Sequence, residues 1–138
     1  MSKEVSEREK LAALAPPKLR GWFHLGATPV VSIASLILFI LSKSSLKFAV
    51  ALYSISAIML FSVSAIYHRV PWSPEKKKIW RRWDHANINL LIAGSYTPFA
   101  VALLQGNDRT ILLSVVWVGA LAGVAIRIFW INAPRWLY

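Results

Sequence analysis

Ser64 and His68 stand four residues apart, so on a helix they share a face one turn from each other. Ser56, two turns before Ser64, extends that stripe. Sixteen residues after His68 come Asp84 and His85, then Asn87 and Asn89. Steps of three and four put Asp84, Asn87, Leu91 and Ser95 on one helical face, with His85 and Asn89 on the adjacent one. If the two segments form an antiparallel hairpin, Ser64 and His68 meet Asp84 and Asn87 at one depth. Serine, histidine and aspartate together suggest a nucleophile triad. Ser64 and His68 point the same way from one helix, however, which is poor geometry for an imidazole that must sit behind the hydroxyl. A metal suits these residues better, because neutral imidazole binds zinc and a carboxylate can hold the bound water or the ligand from the second shell. A catalytic zinc usually takes three protein ligands, and the chain has only His24, His68 and His85. His85 is turned about 100° around the helix from Asp84, and His24 reads as interfacial. The residues alone leave the zinc site incomplete.

The elements that must position these groups are apolar. The chain has 138 residues, 57% of them apolar, with seven Trp and no Cys. One domain of this length cannot bury so much apolar surface in water, and a lipid solvent is the natural home for the surplus. The mean hydropathy of +0.51 agrees. Lack of Cys excludes a disulfide scaffold, a thiolate metal site and a Cys nucleophile. Four apolar stretches follow a polar arm: Trp22–Leu41, Phe48–Tyr67, His85–Leu104 and Thr110–Ile126. About 20 helical residues cross a hydrocarbon layer roughly 30 Å thick. The runs are continuous rather than alternating, and four strands cannot close a barrel. The expected fold is therefore all-α, a polytopic transmembrane helical bundle. Residues 1–20 form a polar arm, with a short surface helix over Ser6–Leu14 ended by Pro16 and Pro17. Residues 21–138 form the membrane domain, with helices over about 22–41, 48–67, 85–104 and 110–131.

The net charge is +10 and the pI about 10.4. Thirteen of the 16 Lys and Arg fall in the arm, the connection between the second and third spans, and the C-terminal end. Only Lys43, Lys47 and Arg109 fall on the other side. That asymmetry puts the N-terminus in the cytoplasm of a cell-membrane protein. The connection His68–Asp84, with Lys76, Lys77, Lys78, Arg81 and Arg82 among Trp72, Trp80 and Trp83, would pass for an RNA-binding patch in isolation. Beside a span it is routine, with cations on the cytoplasmic side and Trp at headgroup level, so no nucleic-acid partner is expected. Ser54, Ser56 and Ser62 read as hydroxyls that bond to their own helix or help helices pack. Asp84 and His68 do not share that reading, because ionisable groups at membrane depth default to a functional one. Gly119 and Gly123 mark a close-packing face, Pro29 and Pro98 suggest kinks, and Arg127 suggests a cation snorkelling to the headgroups.

Ser64-Ala-Ile-Tyr-His68, Trp83-Asp84-His85 and Leu90-Leu-Ile-Ala-Gly-Ser-Tyr-Thr-Pro-Phe99, with Pro17-Lys-Leu-Arg-Gly-Trp-Phe-His24 ahead of them, resemble the hemolysin III family within the progestin and adipoQ receptor group. The resemblance implies seven transmembrane helices, with zinc as cofactor near the cytoplasmic face. It implies that His68 is a zinc ligand, that Asp84 contacts the zinc-bound water, and that Ser64 is a polar neighbour of the metal. Two further His come from an H-x-x-x-H on the seventh helix, a motif absent from this chain, which ends where the fifth helix would start. The chain thus reads as four helices of seven, truncated after the fourth.

The resulting first expectation is a zinc-dependent hydrolase of a lipid amide or ester, with Asp84 as base and Ser64 as donor to the developing oxyanion. The alternatives are a non-enzymatic sensor or regulator of the membrane, a cytolytic protein, or an inactive fragment. Membrane lipids are the expected partners. Lysis would need oligomers, because the first and fourth spans carry no polar stripe.

Overall fold

The computed structural model describes residues 18–129. Four long helices account for nearly all of them: α1 (Lys18–Leu41), α2 (Lys47–Arg69), α3 (Pro74–Leu103) and α4 (Gly106–Phe129), with a 3-10 turn at Ser44–Leu46 before α2. No strand occurs among the described residues. All four helices are long and apolar enough to cross a membrane. Residues 1–17 of the arm, with the Ser6–Leu14 helix, and Arg135 and residues 130–131 of the expected fourth helix lie outside the described residues, whereas residues 18–20 of the arm already belong to α1.

Each helix touches only its neighbours in the chain. The α1–α2, α2–α3 and α3–α4 pairs pack, whereas α1 and α4 do not meet, nor do α1 and α3. Large apolar side chains point away from the contacts: Ile33, Leu36 and Ile40 of α1, and Ile111, Val115 and Val118 of α4, are all more than half exposed. The buried residues are small instead: Ala49, Ser56, Ala57, Ser64 and Ala65 on α2, and Ala86, Ala93, Gly94, Thr97 and Ala100 on α3. This inversion belongs to a protein dissolved in lipid. Leu against lipid is as well placed as Leu against Leu, so the seams form where small residues let backbones approach.

Gly94 shows how close that approach is. A Cβ built there would overlap Ser56 Oγ and lie 3.1 Å from Ser56 Cβ and 3.4 Å from the Leu52 carbonyl. The expected Gly119/Gly123 face is realised by halves. Gly123 lies against the Asn89 amide, with its notional Cβ 2.8 Å from Oδ1, but a Cβ built at Gly119 would meet no atom of another helix within 4 Å. Trp117 Nε1 donates to Thr97 Oγ1 at 3.1 Å, joining α4 to α3.

The third helix starts well before residue 85. Ser73, in extended backbone, occupies the N-cap position, Pro74 opens the helix and Glu75 lies in its first turn. Proline is suited to that position because its missing N–H would have no partner there and its φ is already helical. The basic stretch expected as a connection is therefore largely a helical extension, and α3 reaches 30 residues. The α3–α4 turn is short and ends on Gly106, whose φ of +56° is costly for other residues.

Candidate functional site

A cavity of about 430 Å³ lies at the end of the bundle formed by the α2 C-terminus and the N-terminal halves of α1 and α3. Ser64, Tyr67 and His68 of α2 line it together with Asp84, His85 and Ile88 of α3, and His24 of α1 joins them. The three residues singled out from sequence spacing, Ser64, His68 and Asp84, thus share one cavity although 20 positions separate the first from the last. Ser64 is buried, while His68 and Asp84 are half-buried.

Asn87 does not join them. It is fully buried, and neither its amide nitrogen nor its oxygen has a hydrogen-bond partner among the described residues. The reason is angular. At about 100° per residue, Ile88 and His85 fall on one side of Asp84 and Asn87 on the other. The cavity faces the Asp84–Ile88–His85 side. Asn89 faces α4 and lies against Gly123.

The placement of His24 was not anticipated, since an interfacial reading put it outside the site. Its ring lies 6.4 Å from that of His68 and 5.6 Å from that of Phe61, centroid to centroid. Two features hold α1 close enough. Gly21 has no side chain where a Cβ would come within 3.0 Å of His68 Cβ and Arg69 Cδ. One residue on, the Arg69 guanidinium sits 3.9 Å over the Trp22 ring. The signal available in the sequence was Gly21 three residues before His24, which is one helical turn. The Tyr67 ring lies 4.6 Å from that of His68, centroid to centroid. His85 Nδ1 lies 2.6 Å from the Arg81 carbonyl, an acceptor, so Nδ1–H is the donor in that contact.

Imidazole nitrogen with carboxylate and hydroxyl oxygen is a donor set that suits zinc. Its chemistry fits one part of such a centre, with His68 as a protein ligand and Asp84 beside it. Among the described residues no group of three or more His, Asp or Glu is drawn together to hold a metal.

Sequence comparisons agree with the architecture. The family described as "Haemolysin-III related" matches residues 13–138. The chain is 33% identical to the Hemolysin-3 of Bacillus cereus over 112 residues, which are 78% of this chain and 51% of that protein. It is 35% identical to the Hemolysin-3 homolog of Bacillus subtilis (strain 168) over 81 residues, 59% of this chain and 38% of the relative. The chain therefore spans about half the length, or less, of the curated relatives it matches. No solved structure matches it. With four helices able to span a bilayer and the family profile covering nearly all of its length, the chain is a membrane protein that belongs to the haemolysin-III-related family.

Proposed function

We propose that this chain carries part of the zinc site of a membrane hydrolase that cleaves a lipid amide or ester. The supporting observation is the cavity lined by Ser64, His68 and Asp84 at the end of helices able to span a membrane, completed by His24, His85, Tyr67, Leu60 and Ile88. His68 is the zinc ligand supplied by these residues, and the family resemblance implies two more imidazoles from a seventh helix. A bound zinc supplies a water acidified towards neutral pH and polarises the substrate carbonyl. Asp84 takes the proton from the attacking water as its oxygen bonds to the acyl carbon. It returns that proton to the departing amine or alcohol. Ser64 Oγ–H donates to the carbonyl oxygen as negative charge develops there. The arm and the α2–α3 connection face the cytoplasm in this reading, following the distribution of Lys and Arg.

Release of free fatty acid from bilayer lipids, followed with and without a zinc chelator, tests the reading. Chelation, His68→Ala and Asp84→Ala should each abolish release. Release unchanged by both substitutions refutes it.

The names of the relatives, Hemolysin-3 and Hemolysin-3 homolog, favour cytolysis as a second reading. The outward faces of α1 and α4 are apolar, so a pore would require several copies. Dye leakage from vesicles by metal-free protein, equal to that of the zinc-loaded form, would support lysis or a non-enzymatic membrane role over catalysis.

A further inference from the structure

Thirty helical residues extend about 45 Å, whereas a hydrocarbon layer is about 30 Å thick. Helix α3 therefore has roughly ten residues more than a crossing needs, and its first ten, Pro74–Trp83, are the basic ones. Lys77, Lys78 and Arg81 are exposed. At about 100° per residue they fall within one third of the helix circumference. Their side chains make no hydrogen bond or ion pair with another described residue, and Arg81 is not paired with Asp84 three positions on. Of the other nearby cations, Arg82 donates to the Ile128 carbonyl and Arg69 covers Trp22, while Lys76 stands about 100° from Lys77 on the side away from Lys78. Like charges one turn apart destabilise a helix, so this cluster works against α3 unless an anion lies over it.

Two further observations say where that anion sits. Trp72 and Trp80 stack at 5.0 Å beside the cluster and Trp83 is 43% exposed, which sets this turn of α3 at the headgroup level. One turn further along, the same face of α3 carries Asp84 and His85, which line the His68 cavity. The cationic stripe is the outer continuation of the cavity wall.

We propose that Lys77, Lys78 and Arg81 bind the phosphate of an anionic phospholipid at the entrance to this cavity. The headgroup anchored there leaves the glycerol and acyl linkages one to two helical turns away, at the depth of Asp84 and His68. Anionic phospholipid is then the substrate class. That last step rests on the hydrolase reading; headgroup binding does not.

The test is lipid retention by the full chain, released from nanodiscs containing equal parts phosphatidylcholine and phosphatidylglycerol and analysed by native mass spectrometry. A cation near an anionic surface is worth about fivefold in partition. Phosphatidylglycerol should be retained over phosphatidylcholine by about that factor or more. In Lys77→Gln/Arg81→Gln the two lipids should be retained almost equally. Lys43→Gln/Lys76→Gln, which removes the same charge from other faces, should keep most of the preference. The charge-conserving Lys77→Arg/Arg81→Lys should keep it too, which guards against a folding artefact. Equal losses in the two charge-matched Gln variants would mean diffuse surface attraction and overturn the site. Displacement of the lipid by equimolar inorganic phosphate would overturn the lipid as its ligand. The readout needs neither zinc nor turnover. Retained phosphatidylglycerol therefore supports the headgroup site whatever the fatty-acid assay shows, and failure of that assay's His68 and Asp84 variants to change release counts against the catalytic reading alone.

Discussion

Gly94→Ala is the substitution whose effect the structure sets most tightly. The added methyl overlaps Ser56 Oγ and lies 3.1 Å from Ser56 Cβ, inside the closest seam between α2 and α3. Overpacking of this kind costs about 1–3 kcal/mol. Replacing a helical Gly returns about 1 kcal/mol of propensity. The expected balance is a net loss of about 1 kcal/mol, with α2 and α3 forced apart. The structure also identifies the atom responsible. Ser56 Oγ donates only to the Tyr53 carbonyl of its own helix at 2.8 Å, so Ser56→Ala alone should cost no more than about 0.5 kcal/mol. Combined with Gly94→Ala it removes the overlapping oxygen, and the double variant should recover much of the loss, leaving only the tight Cβ contact. A double-mutant cycle in mixed micelles, with unfolding by a denaturing detergent followed by circular dichroism, should therefore show a coupling of about 1–2 kcal/mol. Two results would refute the argument: Gly94→Ala as stable as the parent, or the two changes adding to within about 0.5 kcal/mol.

Gly26→Ala and Gly119→Ala meet no atom within 4 Å and should leave stability unchanged or raise it by up to about 1 kcal/mol in the same titration. Trp117→Phe removes the bond to Thr97 Oγ1 and should cost about 0.6 kcal/mol, since hydrogen bonds between membrane helices average that value. Trp22→Leu removes the ring beneath Arg69 and should cost about 1 kcal/mol. The chain has no Cys, so Ser45→Cys and Ser73→Cys can be labelled one at a time in intact cells. α2 runs between these positions, and an impermeant maleimide should reach Ser45→Cys and not Ser73→Cys if the basic side is cytoplasmic.

The four helices were legible because every residue facing lipid must be apolar, which leaves a continuous signal of the right length. The early start of α3 was legible too, in Ser73-Pro74-Glu75, but it was masked by a run of cations that reads equally well as a connection. Asp84, His68 and Ser64 could be brought together from spacing and one assumed hairpin. Asn87 could not be excluded that way. Positions 84 and 87 share a broad helical face, and only the direction from which α2 approaches decides that the cavity takes Asp84, His85 and Ile88 instead. His24 was harder still. Nothing in periodicity says which helix a distant histidine meets, and its place depends on Gly21 admitting α1 to the end of α2. Gly119 fails as a packing residue for a related reason: a small residue marks a seam only where a partner backbone arrives.

The row-like arrangement of the helices bears directly on how a lipid would reach the cavity. α1 and α3 both line it while their backbones stay apart, so among the described residues it is a groove across α2 flanked by two helices rather than a closed chamber. An acyl substrate lives in the bilayer, and desolvating it twice, once into water and once into the protein, would cost about 0.8 kcal/mol for each methylene exposed on the way. A groove open between α1 and α3 avoids that transfer, because the chain can slide in along α2 while its headgroup stays at the interface. The side chains are distributed accordingly. Leu60 and Ile88 lie in the groove with the polar groups, His68 stands in the last turn of α2 with Asp84 on the same cavity from α3, and the exposed cations Lys77, Lys78 and Arg81 continue outward from them. Apolar wall, imidazole and carboxylate, and charged rim follow one another along α2 and α3, which is the order in which the anionic phospholipid proposed above would present its acyl chain, its ester linkage and its phosphate.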